Sequence, residues 1–237
     1  MENTNMITGN ENNIVNFKDE GIIKGVITNV RKYDTFAVVQ VYTRNGKNAN
    51  FPSAFFFGEN ACLADELNKN DNVEIHGRLE PYAKRNRLGT GISFRQSFVA
   101  DAVKKIDTNI LSLTSHTYEN AIMLSGIVDR ILLNNDKVVL FSLIIGNDHQ
   151  RVRIACYGRN IELVKDLKNG DTISVIASLQ TSFNTYNDKT TKRETLVAQK
   201  ILIQNAPVNE GIENTETGEK VGIEDADFGN GSDKELA

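Results

Sequence analysis

FGENACLADELNKNDNVEIHGRLE, residues 57–80, returns as YGRNIELVKDLKNGDTISVIASLQ, residues 157–180. Without a gap, Gly58/Gly158, Asn60/Asn160, Leu63/Leu163, Leu67/Leu167, Asp71/Asp171 and Leu79/Leu179 are identical, and Phe57/Tyr157, Val73/Ile173 and Ile75/Val175 are close in kind. Upstream, GVITNV from Gly25 matches GIVDRI from Gly126, and FAVVQVYT (36–43) matches VVLFSLII (138–145). A repeat on this scale makes half the chain the folding unit. The expected layout is a disordered N-terminus at 1–16, one domain over 17–107, a linker over 108–117, a second domain over 118–206 and an acidic disordered tail over 207–237.

Within each copy the periodicity switches in a fixed order. IIKGVITNV, FAVVQVYT and FPSAFFF read as three strands rich in β-branched and aromatic residues. ENACLADELNKN and RNIELVKDLKNG then space apolar residues as a helix does, Ile161, Val164 and Leu167 among them, and end at Asn-Asp or Asn-Gly. A fourth strand, NVEIHGRL or TISVIASL, runs through a polar, basic hairpin into a fifth, ISFRQSFVADAVKKI or ETLVAQKILI. Three strands, a helix and two strands in about 90 residues is the order of the OB barrel. The fold class expected is all-β, two tandem five-stranded OB barrels, each with a short helix between strands 3 and 4.

Charge is unevenly spread. The formal net charge is −4, but residues 210–237 hold nine Asp/Glu against Lys220 and Lys234, which leaves 25 Lys/Arg and 22 Asp/Glu in residues 1–209. A mildly basic body thus carries an acidic tail with little to bury, a composition that stays unfolded. No apolar run approaches the roughly 20 residues of a membrane span, and MENTNMITGNENN lacks a basic-then-apolar leader, so a cytoplasmic protein is expected. Cys62 and Cys156 have no Cys or His at metal spacing, and His76, His116 and His149 are isolated, with no Ser or Cys nucleophile in sequence reach of His76. No catalytic, metal or cofactor site is expected.

The ordered set of motifs resembles the bacterial and phage-type single-stranded DNA-binding protein, SSB. The second copy carries it most fully in ACYGRNIELVKDLKNGDTISVIASL and TYNDKTTKRETLVAQKI, and the first keeps FFGENACLADELNKNDNVEIHGRL and SFVADAVKKI. About 180 residues are covered, and an acidic tail after the barrel is also that family's layout. The resemblance implies coating of single-stranded DNA without sequence preference in replication, recombination or repair. It further implies four OB domains per assembly, hence a homodimer, with a monomer as the alternative. Recruitment of replication or recombination proteins through the tail is implied as well. The chain departs from the family in having no tryptophan and in ending DKELA, with EDADF (224–228) the nearest approach to the family's acidic, Phe-terminated tip.

A single-strand binder needs aromatic faces for bases and cations for phosphates. Alternation along RVRIACY puts Arg151, Arg153, Ala155 and Tyr157 on one face and Val152, Ile154 and Cys156 on the other. In the first copy the same register turns Phe51, Ser53, Phe55 and Phe57 outward and Pro52, Ala54 and Phe56 inward. From Phe36, Val38, Gln40, Tyr42 and Arg44 share the outer surface, and Arg31, Lys32 and Tyr33 form the preceding turn. By resemblance, Phe51, Phe57 and Tyr157 sit where the family stacks bases. PYAKRNRLGTGISFR gathers Lys84, Arg85, Arg87 and Arg95 around Tyr82 and Phe94, and SFNTYNDKTTKRE offers Phe183, Tyr186, Lys189, Lys192 and Arg193. Basic and aromatic residues interleaved in a hairpin favour nucleic acid. Two readings stay open beside this one: a protein-interaction OB module using the aromatic face of the first copy, and a pair of RNA-binding barrels.

Overall fold

The computed structural model describes residues 18–45, 48–85, 92–106, 118–146, 150–186 and 189–204, with the backbone alone for residues 45, 83–85, 92–94, 186 and 189. The expected N-terminal segment, linker and tail lie outside these residues. The first half contributes β1 (Lys18–Lys32), β2 (Phe36–Asn45), a short β3 (Asn48–Asn50), β4 (Ser53–Phe57), β5 (Asn72–Arg85) and β6 (Ile92–Lys105). The second contributes β7 (Glu119–Asn134), β8 (Val139–Ile145), β9 (Gln150–Cys156), β10 (Thr172–Tyr186) and β11 (Lys189–Gln204).

Pairing closes each set on itself. Around the first barrel the order is β1, β2, β4, β6, β5 and back to β1, antiparallel throughout except β4 with β6, where Ala54 faces Phe98 in parallel. The second repeats it as β7, β8, β9, β11, β10, with Ala155 facing Val197 in the parallel pair. This is the OB order. Alternation holds as read: Ala37, Val39, Val41, Ala54 and Phe56 are buried, as are Val152, Ile154 and Cys156. Ala155 is buried too, because the parallel strand β11 lies against it. Burial pushes the Cys156 thiol up to about 12, so it is a neutral core group.

The helical stretches are shorter than the periodicity predicts, a 3-10 turn at Gly58–Ala64 and an α-helix at Asn160–Val164. Beyond them the chain reverses through left-handed backbone at Asn70 (φ 75°) and Gly170 (φ 93°). Leu67 and Leu167 still reach the core. The repeated Phe57-Gly58 and Tyr157-Gly158 have the same cause: Gly58 and Gly158 sit at φ 56° and 58°, where a side chain is strained. The basic hairpins are two-stranded ribbons, paired out to Arg85↔Ile92 and Tyr186↔Lys189. Among the described residues no helix is long and apolar enough to cross a membrane.

Both barrels lie within one compact unit. Their first strands pair antiparallel from Lys18↔Ser125 to Lys24↔Glu119. A reciprocal clasp adds to this ladder. On β6, Gln96 donates its Nε2 to the Arg153 carbonyl (3.2 Å) and accepts from the Arg153 N–H (3.0 Å), closing the open edge of β9. Its repeat counterpart on β11, Glu194, accepts from the Ser53 N–H of β4 at 3.0 Å. Asn50 and Phe51 meet Thr181 through two further bonds of 3.3 and 3.0 Å.

One position in this seam differs between the copies. Asn120 accepts from the Leu179 N–H (3.0 Å) and donates to the Leu179 carbonyl (2.8 Å), extending the ladder with its amide. Its counterpart Asp19 accepts from the Leu79 N–H at 2.9 Å. A carboxylate has no proton for the carbonyl, and burial raises Asp19 from 3.8 to about 6, against the pull of that bond and of Arg78, with Asp101 and Glu80 adding to the rise. The folded chain therefore holds this proton more tightly than the unfolded one. Stability from Asp19 is fullest below pH 3.8 and is lost as pH rises through about 6. The loss is about 2–3 kcal/mol at roughly 1.4 kcal/mol per pH unit. Asp19→Asn is expected to raise the urea midpoint at pH 8 and to give no advantage at pH 4; an equal effect at both pH values would refute this assignment.

Candidate nucleic-acid interface

Four rings form a row across the first barrel. A turn in which the Tyr33 N–H donates to the Phe36 carbonyl (2.9 Å) folds Tyr33 over Phe36, with centroids 4.4 Å apart and planes within 15°. Phe36 faces Phe57 across β2 and β4, 5.7 Å away, and Phe55 follows on the same face at 5.9 Å and 11°. Tyr33 and Phe57 are 51% and 45% exposed. Such ring faces serve any base, because every base has a π-face.

At its Phe55 end the row opens into a groove between the barrels, lined also by Tyr82, Arg95, Arg151, Arg153, Arg193 and Leu140. Tyr82 and Arg95 are opposed on the β5/β6 ribbon. Among the described residues, the guanidiniums of Arg95, Arg153 and Arg193 form no ion pair; Glu194, which lines the same groove, is paired with Lys192. Arg151 does: its Nε donates to Asp129 at 3.0 Å. Lys192, expected as a hairpin cation, is tied into the seam by an ion pair with Glu194 and a 2.7 Å bond to the Ser53 hydroxyl.

The other expected rings fall elsewhere. Tyr42 and Phe51 pack together at 5.5 Å, and Tyr118 and Phe183 join them at 5.6 and 6.1 Å. This cluster bridges the barrels beside the Asn50–Thr181 bonds, which gives Phe51 a packing role. Tyr157 is 49% exposed, yet Val138 and Ala155 stand where the first barrel has Phe36 and Phe55, so no row forms there. Arg44, the last residue but one of β2, is exposed. Arg87 and the side chains of Lys84, Arg85, Phe94, Tyr186 and Lys189 lie outside the described residues. Phe36 is the ring that sequence reading did not count, although alternation had turned it outward; its cross-strand place opposite Phe57 makes the row continuous.

No protein-family model and no curated protein sequence matches the chain. Solved structures do. The wild-type single-stranded DNA binding protein from Thermus aquaticus superposes with a TM-score of 0.58 at 15% identity, over 82% of this chain and 97% of that one. A deletion mutant of the same protein gives 0.60 at 14%, over 82% and 98%. The chain has the SSB fold. The likeness runs through both barrels and not one alone, as a coverage of 82% requires. The two barrels of this chain have unequal surfaces: the ring row lies on the first, and three of the four groove arginines, Arg151, Arg153 and Arg193, lie on the second.

Proposed function

We propose that this protein binds single-stranded DNA without sequence preference and coats exposed strands during replication, recombination or repair. The observation that carries the reading is the four-ring row leading into an arginine-lined groove, on an SSB fold. Bases stack on Tyr33, Phe57 and their neighbours, and phosphates meet Arg95, Arg153 and Arg193. Ring faces stack on any base, and guanidiniums engaged by phosphates read no base edge, which accounts for the lack of sequence preference. Two chains would bring four barrels together in a cytoplasmic homodimer. The exposed Leu202, with Ile176 on the adjoining strand, is apolar surface that such an assembly would cover. The acidic tail remains the candidate for recruiting partner proteins.

Titrating labelled oligo-dT and a duplex of matched length at several salt concentrations tests the reading. Expected are tight binding of the single strand, weak binding of the duplex, and an affinity that falls as salt rises, with a log–log slope of roughly −0.7 per phosphate contact. Equal affinity for duplex, or no binding of oligo-dT, would overturn it.

A further inference from the structure

The groove contains a feature that strand binding by itself does not require. Arg151 is matched by a carboxylate from another strand: Nε and Nη2 meet the two oxygens of Asp129 at 3.0 and 3.4 Å. Two parallel contacts to two oxygens is also how a guanidinium holds a phosphate. Asp129 is displayed by a β-bulge, since Val128 pairs with Leu143 and Arg130 with Ser142, which leaves Asp129 without a partner across the ladder.

The first barrel has the same bulge in the same place. There Ile27 pairs with Val41 and Asn29 with Gln40, and the extra residue is Thr28, whose hydroxyl donates to the Gln40 carbonyl at 3.1 Å. Phe51 stands where the second barrel has Arg151. Acid and base thus occur together in one copy and are both absent from the other. The Arg151 side chain is 59% exposed, and a pair this open adds little to stability. Arg95, Arg153 and Arg193 share the groove, so an added anion here acts on a cationic surface that phosphate would otherwise fill.

We propose that Asp129 is a tethered competitor for phosphate at Arg151, resting on the single-strand reading above. For a strand to use Arg151, the guanidinium must exchange the Asp129 carboxylate for a phosphate. That exchange releases no counterion and adds little net attraction, so the second barrel holds a strand more loosely than its count of arginines implies. Retention then falls to the ring row, and the groove gives up a phosphate as easily as it takes one.

The test uses the full chain, oligo-dT, and the variants Asp129→Asn, Arg151→Gln and their double. Asp129→Asn is expected to raise affinity at low salt by roughly two- to fivefold, the range of an exposed ion pair, and to steepen the salt slope by about 0.7. In the Arg151→Gln background the same change is expected to do nothing, and Arg151→Gln is expected to cost more in the Asp129→Asn background than in wild type. Thermal melting of each variant checks that the fold is intact. If Asp129→Asn leaves affinity unchanged, or raises it equally without Arg151, the competitor role is refuted while single-strand binding stands. If wild type binds no oligo-dT, it is the single-strand reading that fails.

Discussion

Replacing Tyr33 and Phe57 together with alanine is expected to weaken oligo-dT binding by about 2–4 kcal/mol, roughly 30- to 1,000-fold, and to leave the fold intact. Each ring is about half exposed and lies beside Phe36, one stacked at 4.4 Å and the other across the strand at 5.7 Å. Removing both strips the two most accessible faces of the row and leaves the barrel core untouched. Because the two rings share Phe36, their separate effects should not simply add. Fluorescence anisotropy at fixed salt measures the loss, and melting of the free variant checks the fold. Unchanged affinity would show that the strand runs elsewhere; loss of folding would show that the rings are structural.

Phe56→Ala, one residue away, is expected to do the opposite. Phe56 is fully buried on β4, opposite Ala37, within the apolar cluster of the barrel. Truncating such a ring removes its transfer free energy and leaves a cavity that a closed barrel cannot collapse, about 3–5 kcal/mol in all. Set against a total stability of roughly 5–15 kcal/mol, the urea midpoint should drop by a large fraction. The fraction that stays folded should bind oligo-dT as wild type does. A drop under about 1 kcal/mol would mean that Phe56 is not packed as described.

These two neighbours mark how far sequence reading reaches. Period-2 alternation separates Phe56 from Phe55 and Phe57 because the pleat is a property of one strand, and the order of elements followed from switches of period that recur in both copies. Contacts between strands were less legible. Phe36 became a member of the row only through its register with Phe57 across β2 and β4, which no pattern within either strand reports. Contacts between barrels left no local trace at all. Phe51 reads as an outward ring, as alternation requires, yet the surface it faces is the second barrel, where Phe183 waits. Lys192 reads as a solvated cation; Glu194 pairs with it from two residues along the same strand, and only the approach of β4 to β11 brings Ser53 to it. The helices were overestimated for a related reason. Apolar spacing through Leu167 reports burial correctly, but after Val164 the burial is achieved by a turn.

The ladder from Lys18↔Ser125 to Lys24↔Glu119 joins two barrels that belong to one polypeptide. In a symmetric pair of identical chains, every substitution appears on both sides of the junction and must suit both. Here each position is encoded separately, so a change on one side leaves the other as it was. Asp19 against Asn120, Gln96 against Glu194, Thr28 against Asp129 and Phe51 against Arg151 are differences that an identical pair could never hold. Covalent linkage also keeps the two halves facing each other at any dilution. The chain is in this sense a dimer relieved of its symmetry, with one half free to specialise in rings and the other in charge.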